Sequence, residues 1–485
     1  MRLQKRIYIS LIILGSLVIA FLIPPFQEVD EPNHIFMVQA GIGNDSLFYL
    51  LEPHLHSSDT GLKIQPDERT SFETIWGFMT DKVNYGRSDY LPKHISPVII
   101  KYLPSTVGMM LAVLLHLSPY WIMMLGRIFS LLFYVGICLL VYRLMPVKKD
   151  IMLLIMTLPM TLQQASAISY DCMLFAMSFL LVAYTLHLKY TAERVGWLRI
   201  LAALAMIFII GYIKPPYVLL GLMLLLIPAD KVCLKLGKLC IDGEFIKKYR
   251  LLLIIAALLM GALGIYLVRD DFFVNLAIGM MLELGRTLVV FAHTFEYYWK
   301  FFLQSIIGSF GFCDSAVPMW FVYISWVFMI GIAVCKVGKC TGSKRKKGAG
   351  NDSCFAELSP AAANDGMRVW DICIIIIMIL GMVTLVLMSM VNCTYSYLVY
   401  GLEYNGLQYN IREVIYDLYM IMGVQGRYFI PFLILPFLLL PSVGIGLEDS
   451  HGRLPERLDY TRWAVIAYQV VAIVVTVVTL VGRYY

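Results

Sequence analysis

Pro24-Pro25-Phe26-Gln27-Glu28-Val29-Asp30-Glu31-Pro32-Asn33-His34 follows directly on an apolar run that covers residues 7–23. Two adjacent carboxylates and a histidine therefore stand where the chain would leave a membrane. Helix ends at a bilayer edge are ordinarily polar, so a solvated helix end is one interpretation of this stretch. Ionisable groups clustered after a Pro-Pro stop also fit a catalytic site at the membrane surface. The residues alone leave both interpretations open.

The composition excludes a set of soluble domains, although 485 residues would be enough for two or three of them. Hydrophobic residues make up 60% of the chain and come in unbroken blocks of membrane-spanning length. No ten-residue alternating pattern predicts a barrel. We therefore expect an all-α polytopic membrane protein, a single integral membrane domain over residues 1–485, because helices satisfy their own backbone groups in lipid.

The charges do not indicate a nucleic-acid partner. Lysine and arginine gather in a few loops between apolar stretches, as the positive-inside bias would place them. The ten cysteines show no CxxC pair and no metal-binding spacing. Membrane lipids are the expected surroundings.

The apolar blocks predict a helical bundle of about 11–12 spans. They cover residues 7–23, 97–117, 120–144, 151–168, 172–188, 198–213, 217–228, 251–268, 319–335, 369–391, 428–447 and 464–482. The basic start, Arg2, Lys5 and Arg6, predicts an uncleaved first span with a cytoplasmic N-terminus.

Three segments between these blocks have assigned roles. Residues 26–96 are predicted to be a long first extracellular loop, the candidate catalytic loop, with short interfacial helices in it. Residues 269–318 are predicted to be a second large extracellular loop. Residues 336–368, rich in Gly, Ser and Lys, are predicted to be a flexible cytoplasmic linker.

The front half does not alternate simply between the two faces. Asp30 is expected outside and Lys148 and Lys149 inside, yet two apolar blocks lie between them where an odd number of crossings is needed. We expect the block at residues 97–117 to be re-entrant or interfacial. The alternative is that the Lys148-Lys149 turn faces outward.

Carboxylates at the membrane surface carry the expected chemistry. A carboxylate there could deprotonate an acceptor hydroxyl or ligate a divalent cation beside a phosphate. We expect Asp30 to be the base, and Glu31 and His34 to orient it or the acceptor. Asp171 lies in a polar break with Gln163 and Gln164, which sit deeper than a loop should. The alternative is an ordinary turn in which Ser169 and Asp171 cap the next helix.

Three basic residues are candidate phosphate contacts. Arg127 stands inside an apolar block, where it must pair, face a cavity or snorkel to the surface. Arg427, followed by Tyr428, stands at the predicted outer mouth of a span, and its planar guanidinium matches phosphate oxygens. An interfacial Arg-Tyr anchor is the alternative. Lys214 occupies a tight external turn, for which a plain turn is the alternative.

Several of these motifs together resemble a bacterial multi-pass membrane family of the domain-of-unknown-function type, found with surface-polysaccharide genes. They are Asp30-Glu31-Pro32-Asn33-His34, Tyr102-Leu103-Pro104, Gly126-Arg127, Gln163-Gln164-Ala165 with Ser169 and Asp171, and Gly426-Arg427-Tyr428-Phe429-Ile430-Pro431. The resemblance covers nearly the full length. That family is in turn similar to the GT-C glycosyltransferases, which take sugar from a polyprenyl-phosphate carrier outside the cytoplasmic membrane.

The resemblance implies a GT-C-like bundle in which Asp30 matches the catalytic acidic position and Asp171 a second acidic site. It implies sugar transfer to a cell-surface polysaccharide or lipid-linked glycan acceptor. The role of Arg427 follows from its chemistry and position and not from the resemblance, and it requires Asp30 and Arg427 to meet above one leaflet. A flippase or exporter of lipid-linked glycan and a non-catalytic scaffold for polysaccharide assembly are the alternatives. No cofactor is implied with certainty; a divalent cation stays open.

Overall fold

The structure is a computed structural model in which the described residues are 2–28, 30–43, 76–77, 79–80, 92–236, 239–249, 252, 259, 266, 272–311, 313–337, 367–402, 415–441, 443–445 and 460–485.

The described chain is almost entirely helical, as the sequence predicts. The α-helices are α1 Arg2–Leu22, α2 Glu31–Ile42, α3 Ile99–Leu114, α4 Pro119–Leu144, α5 Lys149–Met156, α6 Pro159–Ala165, α7 Tyr170–Tyr190, α8 Trp197–Ile213, α9 Gly243–Lys248, α10 Phe272–Leu282, α11 Leu284–Ile307, α12 Met319–Val334, α13 Val369–Leu402, α14 Ile434–Leu439 and α15 Tyr460–Tyr484. Three further helices are of the 3₁₀ type: Pro215–Leu226, Ala229–Lys231 and Gly426–Phe432. The short strands are β1 Cys233–Leu236, β2 Leu239–Asp242, β3 Ser309–Phe310, β4 Ser315–Ala316, β5 Cys335–Val337 and β6 Val443–Ile445.

The strands form three two-stranded sheets. β1 pairs with β2 in an antiparallel register that joins Cys233 to Asp242 and Leu236 to Leu239. β3 and β4 are also antiparallel, whereas β5 and β6 are parallel. These pairs close turns and ends of helices, so the all-α prediction is confirmed.

Four helices of the described residues are long and apolar enough to cross a membrane: Pro119–Leu144, Tyr170–Tyr190, Val369–Val391 and Thr461–Tyr484. A pair bent by 103°, Leu276–Leu282 with Leu284–Ile307, would make a fifth. Shorter apolar helices cover Ile9–Leu22, Ile99–Leu114, Trp197–Ile213, Pro215–Leu226 and Met319–Val334. A polytopic membrane protein is therefore confirmed. The predicted number of spans depends on these short helices and on segments outside the described residues, and it stays a prediction.

The chain divides into two compact units. The first comprises Met1–Leu180, Ile307–Ile372 and Leu433–Tyr485, and the second comprises Leu181–Ile306 and Cys373–Phe432.

In the first unit, α3 and α4 run antiparallel in close contact. Ser105 is hydrogen-bonded to Ser130 at 2.9 Å, and Gly108 lies over Leu125, where a Cβ would stand 2.2 Å from the carbonyl oxygen. α2 packs on α3, and a buried apolar cluster joins these helices to the turn after α1. The 16 residues of α3 rise about 24 Å, less than the about 30 Å of a bilayer core. This length agrees with a helix that does not cross fully.

The block at residues 151–168, expected to be one span, is broken into α5 and α6. Pro159 begins α6, and a proline cannot continue the hydrogen-bonding of the preceding helix. The carbonyls left at the break are satisfied: Tyr134 Oη donates to Met156 O at 2.7 Å, and Thr161 Oγ1 donates to Ile155 O at 3.0 Å. Gln469 Nε2 of α15 donates to Thr157 Oγ1.

Lys148 ties three segments of the first unit together. Its Nζ donates to Ala333 O at 2.5 Å, near the end of α12, and to Leu440 O at 2.9 Å, after α14. The parallel pair β5 and β6 continues the same two segments. The block at residues 428–447 is thus divided between a 3₁₀ helix, α14 and β6, and not one continuous span.

The predicted loops differ in how far the structure describes them. The first helix of the segment 26–96 is α2. Interfacial helices are predicted around residues 67–69 and from residue 76 onward. Residues 67–69 lie outside the described residues, and residues 76–77 and 79–80 are helical. The segment 269–318, predicted as a loop, is mostly helix, because α10 and α11 fill it. In the linker at 336–368, residues 338–366 lie outside the described residues, as does nearly all of the block at 251–268.

Substitution of Gly108 by alanine should destabilise the α3–α4 pair. The added Cβ would overlap the Leu125 carbonyl, so we expect a loss of about 1–3 kcal/mol in unfolding free energy. The measurement is the thermal midpoint of the purified protein in detergent. Gly136→Ala on α4 is the control, since a Cβ there meets nothing within 4 Å. Equal midpoints for the two variants would contradict the close packing of these helices.

Candidate functional site

The turn that follows α1 holds two residues in a left-handed conformation. Phe26 has φ 65° and Asp30 has φ 61°, a region that residues other than glycine seldom adopt. Backbone hydrogen bonds from Gln27 N to Pro24 O and from Glu31 N to Glu28 O, both 3.2 Å, close the turn. We call Glu28, Asp30 and Glu31 the acidic corner. Asp30 is exposed, whereas Glu28 and Glu31 are buried.

Glu31 is held by Arg127 in a fully buried, two-pronged ion pair. Arg127 Nε donates to Glu31 Oε1 at 2.9 Å, and Nη2 donates to Glu31 Oε2 at 2.7 Å. Both side chains are 0% exposed. Phe26 N also donates to Glu31 Oε2, at 2.9 Å. Snorkelling of Arg127 to the surface, one of the sequence alternatives, is therefore wrong, because the carboxylate offers a partner inside the protein.

Arg127 also closes the end of α1. Nη1 donates to Ala20 O at 3.0 Å and to Ile23 O at 2.6 Å, and Nη2 donates to Pro24 O at 3.2 Å. The last carbonyls of a helix have no partner within it, so a guanidinium is a suitable cap. These bonds join α4, α1 and α2 at one point.

Glu28 is bound from α6. Gln163 Nε2 donates to Glu28 Oε2 at 2.6 Å, and both side chains are buried. The break that begins α6 thus delivers an amide to the acidic corner. Gln164 is buried as well. From the C-terminal helix α15, Tyr484 Oη donates to Gln27 O at 3.3 Å, beside the same corner.

His34 bridges the acidic corner to the start of α7. Its Nδ1 lies 3.0 Å from Tyr102 Oη, and its Nε2 lies 3.4 Å from Ser169 Oγ. The His34 ring meets Tyr170 edge-on, with centroids 4.9 Å apart. Ser169 Oγ also accepts from Asp171 N at 3.1 Å, so the predicted capping of the next helix is confirmed for Ser169.

Asp30 and Asp171 flank one chain of hydrogen bonds. His34 N donates to Asp30 O at 3.0 Å, and the His34 ring leads through Ser169 to the backbone of Asp171, with Tyr102 on its other ring nitrogen. Asp171 is only 3% exposed, in the first turn of α7, and Asp30 is exposed. The first unit therefore links the exposed Asp30 and the buried Asp171 through one histidine, with a buried tyrosine beside it.

In the second unit, Lys214 and Arg427 both lie against the ring of Tyr428. Lys214 Nζ is 3.8 Å from the ring centroid, and Arg427 Cζ is 5.4 Å from it. Tyr217 Oη donates to Tyr428 O at 2.7 Å, which fixes the backbone beneath the ring. We call Lys214, Arg427 and Tyr428 the cation cluster. A cation within about 6 Å of the centroid of an aromatic ring is attracted to the negative face of that ring. The Tyr428 ring therefore holds two positive charges near each other.

The segment before the cation cluster lies along α11. Arg286 Nη2 donates to Leu418 O at 2.9 Å, Ile421 N donates to Thr294 Oγ1 at 3.0 Å, and Gly426 N donates to Ser305 Oγ at 2.7 Å. The register advances along both segments in the same direction. Gly426 is required at the last contact, since a Cβ there would lie 2.3 Å from Phe302 O.

The sequence-predicted site residues thus fall into two groups. Seven lie in the first unit: Asp30, Glu31, His34, Arg127, Gln163, Gln164 and Asp171. Three lie in the second: Lys214, Arg427 and Tyr428. Asp30 and Arg427 belong to different units, so their meeting above one leaflet stays a prediction. His293 and Glu296 are three residues apart on α11 and belong to neither group: His293 stacks on Tyr419, and Glu296 is exposed.

Sequence reasoning missed several residues of the site. Glu28 stood in the opening stretch and Tyr102 in a motif that carries the resemblance, but their types alone gave no reason to select them, and Ser169 was considered only as a helix cap. Tyr484 had no signal, because it reaches the corner from the far end of the chain. Among the described residues, no group of three or more His, Cys, Asp or Glu is arranged to hold a metal ion.

Residues 13–436 match the sequence profile of a protein family described as "Predicted membrane protein (DUF2142)". Neither a curated protein nor a solved structure matches the chain.

Substitution of Gly426 by alanine should displace the cation cluster. The Cβ would overlap Phe302 O and stand 2.5 Å from Ser305 Oγ, so the segment must leave α11 and Arg427 must move with it. We expect the free energy of unfolding to fall by about 1–3 kcal/mol and the thermal midpoint to fall with it. Gly285→Ala, on α11 with nothing within 4 Å of the added Cβ, is the matched control. A midpoint for Gly426→Ala that equals the control would show that the segment does not depend on this contact.

Proposed function

The chain belongs to the DUF2142 family of predicted membrane proteins, and from that premise we propose that it is a GT-C-type glycosyltransferase. It moves a sugar from a polyprenyl-phosphate carrier to a cell-surface polysaccharide or lipid-linked glycan on the outer face of a bacterial cytoplasmic membrane. The observation that carries the proposal is the chain of hydrogen bonds in which His34 joins Asp30 to Ser169 and the start of the helix that holds Asp171.

The proposed step is an inverting displacement. Asp30 accepts the proton of the acceptor hydroxyl while the hydroxyl oxygen bonds to the anomeric carbon. The bond between that carbon and the phosphate oxygen breaks, and its electron pair leaves with the polyprenyl phosphate. Asp30 suits the role of base because its side chain is exposed, whereas the other two carboxylates of the acidic corner, Glu28 and Glu31, are buried.

The second carboxylate, Asp171, supports binding of the acceptor or of the sugar. Its backbone is fixed by Ser169, and Ser169 is fixed by His34. Fixed polar groups recognise hydroxyls without reorganising during the reaction. His34 has both ring nitrogens within hydrogen-bonding reach of protein hydroxyls, so its proposed role is to hold the two acidic segments together.

The cation cluster supports binding of the carrier phosphate. Arg427 offers a planar fork that matches phosphate oxygens, and Lys214 adds a second positive charge on the same ring. Negative charge on the leaving phosphate grows as the glycosidic bond breaks, and cations held in place stabilise it. The proposed ligand is undecaprenyl phosphate bearing the sugar.

Asp30→Asn should abolish sugar transfer. Asparagine keeps the shape and removes proton acceptance, so we expect a loss on the order of 100- to 10,000-fold in rate. The assay uses reconstituted protein with a panel of labelled undecaprenyl-phospho-sugars and extracted surface glycan. Asp230→Asn, at an exposed carboxylate in a 3₁₀ helix, is the control.

Sugar transfer by Asp30→Asn at the parent rate would rule out Asp30 as the catalytic base. Movement of the labelled lipid across the vesicle bilayer with no transfer to acceptor would favour the flippase alternative. Unchanged surface glycan in cells that carry both Asp30→Asn and Arg427→Gln would favour the scaffold.

Lys214→Gln and Arg427→Gln should each weaken the binding of undecaprenyl phosphate. Loss of a charge-assisted hydrogen bond is worth about 1.5–3 kcal/mol, so the dissociation constant should rise by roughly 10- to 100-fold. Native mass spectrometry or thermophoresis of the purified protein measures it. Lys300→Gln is the control, because Lys300 also lies over an aromatic ring, that of Trp299, but outside the cation cluster. Equal dissociation constants for undecaprenyl phosphate in all three variants would show that the cation cluster does not bind the carrier phosphate.

A further inference from the structure

The structure gives Arg127 and Glu31 mutual contacts that the sequence does not predict. Sequence reasoning placed Arg127 among substrate contacts and Glu31 beside the base. We infer that the two side chains form a clamp that positions Asp30. They are positioning residues for the transfer proposed above, on which this inference rests, and neither touches substrate.

The hydrogen-bond inventory of Arg127 carries the inference. A guanidinium has five N–H donors and no acceptor. All five are used inside the protein: two on Glu31 and one each on the carbonyls of Ala20, Ile23 and Pro24. The side chain is 0% exposed. To bind a phosphate, it would have to release bonds that close α1.

Glu31 is similarly committed. Its Oε1 accepts from Arg127 Nε, and its Oε2 accepts from Arg127 Nη2 and from Phe26 N. Three donors therefore surround the carboxylate, and two of them belong to the same cation. The carboxylate cannot turn towards a substrate without leaving the guanidinium buried and unpaired.

The clamp acts on Asp30 through the backbone. Glu31 is the next residue, and its bond to Phe26 N closes a ring across the turn from residue 26 to residue 31. Phe26 and Asp30, the two left-handed residues, both lie within this ring. A left-handed aspartate persists only where its surroundings hold it. The fork of Arg127 supplies that hold from α4, and the Asp30 side chain stays exposed.

Lysine cannot replace Arg127 in this arrangement. An ammonium has three donors at one point, whereas the clamp uses five donors that reach a carboxylate and three separate carbonyls. Arg127→Lys keeps the positive charge beside Glu31 but removes the fork. The variant therefore separates charge compensation from positioning.

The experiment measures hydrogen exchange of the peptide that covers residues 24–34, in full-length protein in lipid nanodiscs. The amides of Phe26, Gln27, Glu31 and His34 are hydrogen-bonded and should be protected in the parent. Arg127→Lys should accelerate their exchange by on the order of tenfold. Arg143→Lys is the control: it is an exposed arginine in the last turn of α4. Unchanged exchange in Arg127→Lys overturns the inference.

A general folding defect is distinguished by a second peptide and a second variant. Exchange over α12, Met319–Val334, should match the parent if the fold is kept. Where Arg127→Lys exposes α12 as well, Glu31→Gln is decisive, because it keeps the size of the side chain and loses only the charge. Faster exchange at residues 24–34 alone in Glu31→Gln supports the clamp; parent-like exchange there overturns it.

A second readout separates positioning from substrate contact. Misplacement of a base by about 1 Å can reduce a rate by on the order of 100-fold. Transfer by Arg127→Lys should therefore fall while the affinity for undecaprenyl phosphate stays as in the parent. A weaker affinity would overturn the inference by making Arg127 a phosphate contact. If the parent itself transfers no sugar, the proposed function fails, and the exchange measurement still decides the clamp.

Discussion

The buried ion pair between Arg127 and Glu31 is the interaction on which the first unit depends. A paired charge in an apolar interior is tolerated only when both partners are hydrogen-bonded, and removal of one partner leaves an isolated charge. This pair meets that condition through α1, whose terminal carbonyls use the remaining donors of Arg127. The turn in which Phe26 and Asp30 are left-handed is closed by the same carboxylate, which accepts from Phe26 N. The Asp30 side chain is exposed beside it.

The same constraint shapes the rest of the apolar bundle. Pro159 interrupts a helix and leaves backbone carbonyls without a partner inside it. The hydroxyls of Tyr134 and Thr161 donate hydrogen bonds to these carbonyls, which lipid tails could not do. The short helix that starts there brings Gln163 to Glu28. A local failure of helix geometry thus supplies one wall of the acidic corner. In the second unit, Gly426 plays a comparable part by allowing close contact with α11 beside Arg427.

Much of this could be predicted from the sequence. Apolar blocks gave the membrane class, and Pro24-Pro25 marked the end of the first helix. Gln163 and Arg127 were selected because polar groups are costly in an apolar block, and Asp171 because it lies in the polar break that follows Gln163 and Gln164. Which of these side chains pair with one another was out of reach, since Arg127 and Glu31 are 96 residues apart. The pattern of a single sequence shows hydrophobic periodicity and which polar residues are costly to bury. It does not show which side chains pair with one another. For the same reason the sequence predicts Arg127 as a phosphate contact without showing its partner Glu31, and it does not select Tyr484.

The most direct test of this account is an experimental map of the protein in lipid nanodiscs that resolves side chains around residues 20–34 and 127. We predict that the Arg127 guanidinium lies within hydrogen-bonding distance of the Glu31 carboxylate and of the carbonyls that end α1, with the Asp30 side chain exposed. A map in which Arg127 points to the bilayer surface, or in which it pairs with Asp30 and leaves Glu31 exposed, would contradict the account.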